Sequence, residues 1–182
     1  MIEAGGARRY VIETARLELR PVSMDDLEGL HRVWTDPAVR EFFWDGETIS
    51  RERAEAAVRE GMEAFDRHGF GLWVAEVGED LVGFCGLRPL DYAPEVEVLY
   101  GIAPSRWGEG FATEAALAML RYGFEEAGLH RILGIADREN VASRRVLEKI
   151  EMTFEEHVLH EGREEARYSI EKSSEGPSAA PG

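Results

Sequence analysis

Apolar and charged positions alternate through Arg16-Leu17-Glu18-Leu19-Arg20, which predicts a half-buried strand closed by Pro21. Ser23 with Asp26 three residues on reads as a helix start, and Val22 and Leu27 are spaced as a hydrophobic staple. Leu27, Leu30, His31 and Trp34 then repeat at helical spacing until Asp36-Pro37 stops the run. Val39-Arg40-Glu41-Phe42-Phe43-Trp44 reads as an aromatic connector. A second helix begins near Ser50, with Ala54, Ala57, Val58, Met62 and Phe65 as its apolar stripe and Gly69 at its close. Strands are predicted at 72–77 and 81–87, joined by the Gly78-Glu79-Asp80 turn as a hairpin. Another follows a loop, at 96–102. A helix over about 109–126 carries Ala112, Ala115, Ala116, Met119, Leu120 and Gly123 on one face, and Gly128 ends it. Then come a strand at 130–136, a short helix capped by Asn140, and strands at about 153–159 and 164–170. Two-period and 3.6-period segments in this order predict an α/β fold: a mixed seven-stranded sheet with helices on both faces. Residues 14–171 are expected to form one domain, 1–13 a flexible leader and 172–182 a disordered tail.

The stretch that carries chemistry is 96–114. A strand, Val96-Glu97-Val98-Leu99-Tyr100-Gly101-Ile102, runs through Ala103-Pro104-Ser105-Arg106 into Trp107-Gly108-Glu109-Gly110-Phe111-Ala112-Thr113-Glu114. The first N–H groups of a helix lack internal partners, and glycines let a phosphate approach them closely. Trp107 to Thr113 therefore reads as a pyrophosphate cradle. It is no Walker loop, because no Gly-Lys-Ser/Thr follows. Gly108-x-Gly110-x-x-Thr113 approaches a dinucleotide fingerprint, with Asp137 placed as a ribose-binding acid. Only about 45 residues follow Asp137, too few for the second half of such a fold.

Composition narrows the partners. Thirty-six acids against twenty-one Lys and Arg give a net charge of −15, which argues against a nucleic-acid partner and suits a cationic one. No apolar run approaches a membrane span and no signal peptide is evident, so a cytoplasmic protein is expected. The single cysteine, Cys85, lies in an apolar strand and reads as a small core residue. His157 and His160 fall on opposite strand faces, so no metal site is expected.

Three motifs, in this order, resemble the GNAT superfamily of acyl-coenzyme A N-acyltransferases over about residues 14–171. The first is Thr14-Ala15-Arg16-Leu17-Glu18-Leu19-Arg20-Pro21, with Trp34 and Asp36-Pro37 downstream. The second is the cradle, similar to the superfamily's Gln/Arg-x-x-Gly-x-Gly/Ala. Here Trp107 replaces the Gln or Arg and Thr113-Glu114-Ala115 follows, as in the RimJ/RimL-type branch. The third is Asn140-Val141-Ala142-Ser143-Arg144-Arg145-Val146-Leu147-Glu148-Lys149. The resemblance implies a mostly antiparallel sheet, splayed between its fourth and fifth strands. It implies acetyl-CoA as cosubstrate, held by Leu99, Gly101, Ile102, Ala103, Trp107, Gly108, Glu109, Gly110, Phe111, Ala112 and Thr113, with Asn140 and Ser143 opposite.

The implied reaction moves an acetyl group from a thioester to an amine acceptor, a small molecule or a protein N-terminus. An ammonium with an ordinary pKa near about 10.4 must lose a proton first, whereas an α-amine near about 8 is partly neutral. Glu97 is the candidate base, or else a strand acid facing solvent, and Glu95 is its understudy. Relatives place an acidic Tyr seven residues after the Asn; here that position is Leu147, so Ser143 is the candidate acid or thiolate partner, or else packs the helix. Glu151 departs from a Gly common in relatives. Phe42, Phe43 and Trp44 either pack under a loop or line the acceptor pocket with Glu95. A monomer or homodimer is expected. A binding module that holds acyl-CoA without turnover is the alternative.

Overall fold

The computed structural model describes residues 10–173. Residues 1–9 and 174–182, most of the expected leader and tail, lie outside the described residues. One sheet runs β1-β2-β3-β4-β5-β6-β8-β7. Its strands are β1 Ile12–Glu13, β2 Glu18–Pro21, β3 Leu72–Val77, β4 Asp80–Pro89, β5 Val96–Ile102, β6 Arg131–Asp137, β7 Thr153–His160 and β8 Arg163–Glu171. The strand beyond the seven predicted is β1, whose Ile12 and Glu13 pair with Leu19 and Glu18. Every neighbouring pair is antiparallel except β5 with β6. This topology excludes the dinucleotide-binding reading, which needs consecutive parallel βα units.

The helices are α1 Leu27–Thr35, α2 Pro37–Phe43, α3 Arg51–His68, α4 Phe111–Glu125 and α5 Val141–Lys149. One expectation is corrected here: the aromatic connector is the helix α2. Asp36 ends α1 and at once caps α2, its carboxylate accepting from the Ala38 N–H at 3.0 Å. Pro37 takes the first helical position, where its missing N–H costs nothing. The same dipeptide that stops one helix therefore starts the next.

Strand alternation sorts the core into two layers. Val98 and Ile102 of β5, Trp73 of β3 and Tyr168 of β8 join Phe111, Met119 and Leu147 on the α4–α5 side. Val74 and Phe84 join Leu30, Trp34 and Val58 on the α1–α3 side, with Leu99 at their margin. Glu97 alternates with Val98 and so shares the face of Leu99.

Candidate active site

The site begins where the sheet stops pairing. Along its whole length β5 pairs with β4, from Pro89↔Val96 to Gly83↔Ile102. With β6 it registers only at Glu97↔Leu133 and Val98↔Gly134. The two strands are parallel, so the segment from Leu99 to Ile102 and the end of β6 run on as unpaired edges. Such edges accept an amide-bearing chain as an added strand. Gly101 sits here because a β-carbon would strike the Phe84 ring. The Trp107 indole N–H donates to the Ile102 carbonyl at 2.6 Å and fixes the exit of β5.

After the Pro104–Arg106 turn the chain bends at Gly108 (φ 81°) and Gly110 (φ 84°), left-handed angles that favour glycine. Gly110 caps α4 and offers no side chain, so the N–H groups of Phe111, Ala112 and Thr113 have no side-chain capping partner among the described residues. Phe111 is buried, with the guanidinium of Arg16 at 4.7 Å and that of Arg106 at 5.0 Å from its ring centre. The Glu109 side chain points away to Arg106 at 2.8 Å.

Glu114, in the first turn of α4, ties this bend to the far end of the sheet. It accepts from Thr14 Oγ1 at 2.6 Å, the Arg16 N–H at 2.8 Å and Arg16 Nε at 2.8 Å. Arg16 also donates to the Glu109 carbonyl at 2.7 Å. Burial disfavours the charge on Glu114, but the Thr14 and Arg16 hydrogen bonds outweigh it and hold the carboxyl below its ordinary range. Both motifs are visible in the sequence; the contact between them, a hundred residues apart, is not.

Across the wedge stands the start of α5. Asn140 caps it, its Oδ1 accepting from the Ser143 N–H at 3.0 Å, which leaves the Asn140 amide NH₂ to donate elsewhere. Tyr100 reaches over from β5, its Oη 3.0 Å from Ser143 Oγ and 3.0 Å from the Ser143 carbonyl. Burial pushes the Tyr100 phenol above its ordinary range. Leu147 is buried and fills the space over Gly134, where a β-carbon would meet its methyl groups. It belongs to the core, not to the wedge. Glu151, after α5, takes the left-handed angle φ 64° that a glycine would hold more easily.

On the other face of β5, beside Leu99, charged side chains meet around Glu97. Glu97 is buried and its Oε1 is held by both Arg88 Nε, at 2.8 Å, and Arg88 Nη2. Oε2 has no hydrogen-bond partner among the described residues. Glu95 lies 3.4 Å from Arg131. Arg88 and Tyr100 are contributions that the sequence reading missed: Tyr100 lies on a predicted strand, whereas Arg88 falls in the predicted loop after 87, which the structure makes part of β4. A further missed residue is Glu165 of β8, which alternates with the buried Ala166 and so shares the face of Glu97. Burial raises its carboxyl above the ordinary range; His160 works against that, and the charge of Glu97 adds to it. His160 Nδ1 is 3.7 Å from Glu165 Oε1, and its ring lies 4.5 Å from that of Tyr92. Of the expected pocket aromatics, Phe43 packs on Phe84 and Trp44 on Trp34, while Phe42 is exposed. No cluster of metal-ligating side chains occurs among the described residues.

Free helix-start amides behind two left-handed glycines fit a pyrophosphate. The unpaired edge of β5 fits the amide-rich arm of coenzyme A. Comparison with known proteins agrees. Residues 16–153 match the family model described as an acetyltransferase (GNAT) domain. The FsC-acetyl coenzyme A-N(2)-transacetylase of Aspergillus fumigatus is 32% identical over 178 residues, covering 87% of this chain and 75% of that protein. A GNAT-family acetyltransferase structure from Bacillus anthracis is 28% identical and superposes with a TM-score of 0.76, covering 89% of this chain and 98% of the other. A RimL ribosomal L7/L12 α-N-protein acetyltransferase, in complex with coenzyme A, shares the fold at 18% identity, with a TM-score of 0.76 over 89% of this chain and 98% of its own. The chain thus has the fold of these acetyltransferases and belongs to the GNAT family.

Proposed function

We propose that this acetyltransferase moves an acetyl group from acetyl-CoA to a primary amine by direct attack in a ternary complex. The acceptor is a small-molecule amine or a protein N-terminus. The observation that carries the reading is the join of three features: the unpaired β5 edge, the left-handed glycine bend and the uncapped start of α4. In this reading Gly108, Glu109, Gly110, Phe111, Ala112 and Thr113 hold the pyrophosphate through backbone N–H groups, with Trp107 fixing the approach. Leu99, Gly101, Ile102 and Ala103 line the pantetheine arm, and the Asn140 NH₂ donates to it. The Trp-Gly-x-Gly run and the Asn140–Lys149 helix support the RimJ/RimL-type branch.

The bound cosubstrate supplies an activated acyl carbon; the chain supplies position and proton handling. Glu97, buried and with its Oε2 unpartnered among the described residues, accepts the proton that the amine nitrogen must shed. Arg88 holds that carboxylate in one orientation. Ser143 Oγ faces the departing sulfur and donates a hydrogen bond to it. The acceptor enters over the face that Glu97 shares with Glu165, bordered by Glu95, by Tyr92 and by Phe42, Phe43 and Trp44. The reaction is placed in the cytoplasm, on a monomer or homodimer. Thiol release from acetyl-CoA against a panel of primary amines tests the reading. Release with one amine class is the expected result, and no release with any amine would overturn it.

A further inference from the structure

Tyr100 is the one polar side chain on β5 besides Glu97; it is half-buried and lies on the opposite face. It sits just past Val98, where the pairing of β5 with β6 ends. Its hydroxyl is equidistant, at 3.0 Å, from two oxygens of a single residue, the Ser143 carbonyl and the Ser143 hydroxyl. A phenol has one proton, and a carbonyl oxygen can only accept. Two arrangements therefore exist on the same heavy atoms. In one, Tyr100 donates to the Ser143 carbonyl and the Ser143 hydroxyl donates to Tyr100 Oη. In the other, Tyr100 donates to Ser143 Oγ, and the Ser143 proton is free to point elsewhere.

We propose that Tyr100 is a positioning residue of acetyl transfer that switches the Ser143 hydroxyl toward the leaving sulfur. The inference rests on the reading above, in which Ser143 faces that sulfur. As the C–N bond forms, the C–S bond breaks and its electron pair goes to sulfur. The Ser143 O–H then turns to the developing thiolate, and the Tyr100 O–H turns from the carbonyl to Ser143 Oγ. No proton leaves either residue. The nitrogen proton goes to Glu97 and on to water, and the thiolate takes a proton from water on release. Burial keeps the Tyr100 phenol protonated throughout. The two hydroxyls are satisfied by one another before reaction and by sulfur only during it. Their stabilisation is thus specific to the transition state, which raises kcat rather than affinity. The pair does the task that Leu147, buried over Gly134, cannot.

A double-mutant cycle tests this, because Ser143→Ala removes the hydroxyl and leaves the carbonyl. Tyr100→Phe should lower kcat about tenfold, a hydrogen bond's worth, with KM for acetyl-CoA changed less than about twofold. In the Ser143→Ala background the same change should do nothing further to kcat. If Tyr100 only anchors α5 through the Ser143 carbonyl, it costs the same factor in both backgrounds, and the proposal is overturned. An unchanged kcat for Tyr100→Phe alone also overturns it. Ser143→Thr, which keeps a hydroxyl, should retain the sensitivity to Tyr100→Phe. Should Tyr100→Phe not fold, Ser143→Ala and Ser143→Thr in the wild-type background decide: equal kcat values overturn the proposal, and a loss confined to Ser143→Ala supports it. Absence of thiol release by the wild-type chain would instead sink the reading of the site, and this inference with it.

Discussion

The two sides of β5 solve different problems with different materials. The cradle side is made largely of backbone: an unpaired strand edge, two left-handed glycines and the open start of α4. The side proposed for the acceptor is made of side chains, and nearly every acid there has a basic partner. Glu97 is held by Arg88, Glu95 by Arg131, and Asp137 lies 3.6 Å from Arg163. A backbone site binds a ligand common to many proteins and leaves a local signature. A site of paired side chains is tuned to one acceptor, and its pairs join segments that the sequence keeps apart.

That contrast can be broken first at Glu97. Glu97→Gln should cut kcat about 100-fold or more while leaving acetyl-CoA affinity within about twofold. Steady-state kinetics with a parallel calorimetric titration of acetyl-CoA reads both; loss of cofactor affinity would show that the two sides are not separable. Gly110→Val makes the converse cut. Forcing a β-branched residue to φ 84° costs about 1–3 kcal/mol, so KM for acetyl-CoA should rise about tenfold or more with acceptor KM little changed. An unaltered acetyl-CoA KM would mean that the bend is not the phosphate site.

Glu114 sharpens the comparison, because it shows that the backbone cradle leans on side chains after all. Glu114→Gln should cost about 1–2 kcal/mol of stability at pH 7, measured by urea unfolding. Its folded carboxyl lies below the ordinary range, so its contribution is complete above the unfolded value near about 4.3. That contribution is lost as pH falls through the lower folded value. The gap between wild type and variant should therefore close as pH falls below the unfolded value near about 4.3; a constant gap would assign the loss to packing. The smallest effect is expected at Glu151, held at φ 64°. Glu151→Gly should raise the thermal midpoint by the equivalent of about 1 kcal/mol or less, since glycine holds that angle without strain. A lower midpoint would show that the Glu151 side chain itself stabilises the turn.

Much of this was legible in advance. Gly69 and Gly128 close α3 and α4 at φ 75° and 69°, and Asn140 caps α5, as their residue types predict. Such signals act within one turn of chain, so they survive in the sequence. The aromatic run at 39–44 was misread because Asp36-Pro37 serves equally as a stop and as a start. Arg88 was passed over as a loop residue, because β4 runs on to Pro89 and only the register Arg88↔Glu97 brings the pair together. Tyr100 went unremarked because an apolar strand position suits tyrosine as core.

By itself, the sequence determined the element order apart from β1 and α2, the glycine bend that opens α4 and the apolar faces that bury it. Each follows from short-range sterics and from the period of the chain. The tertiary structure alone decided what meets what. It brought Thr14 and Arg16 onto Glu114, Arg88 onto Glu97 and the Tyr100 hydroxyl onto Ser143. It also ended the β5–β6 pairing at Val98. Those contacts depend on strand register and on the angle between packed layers, which are set by the summed packing of the whole core and by no local run of residues.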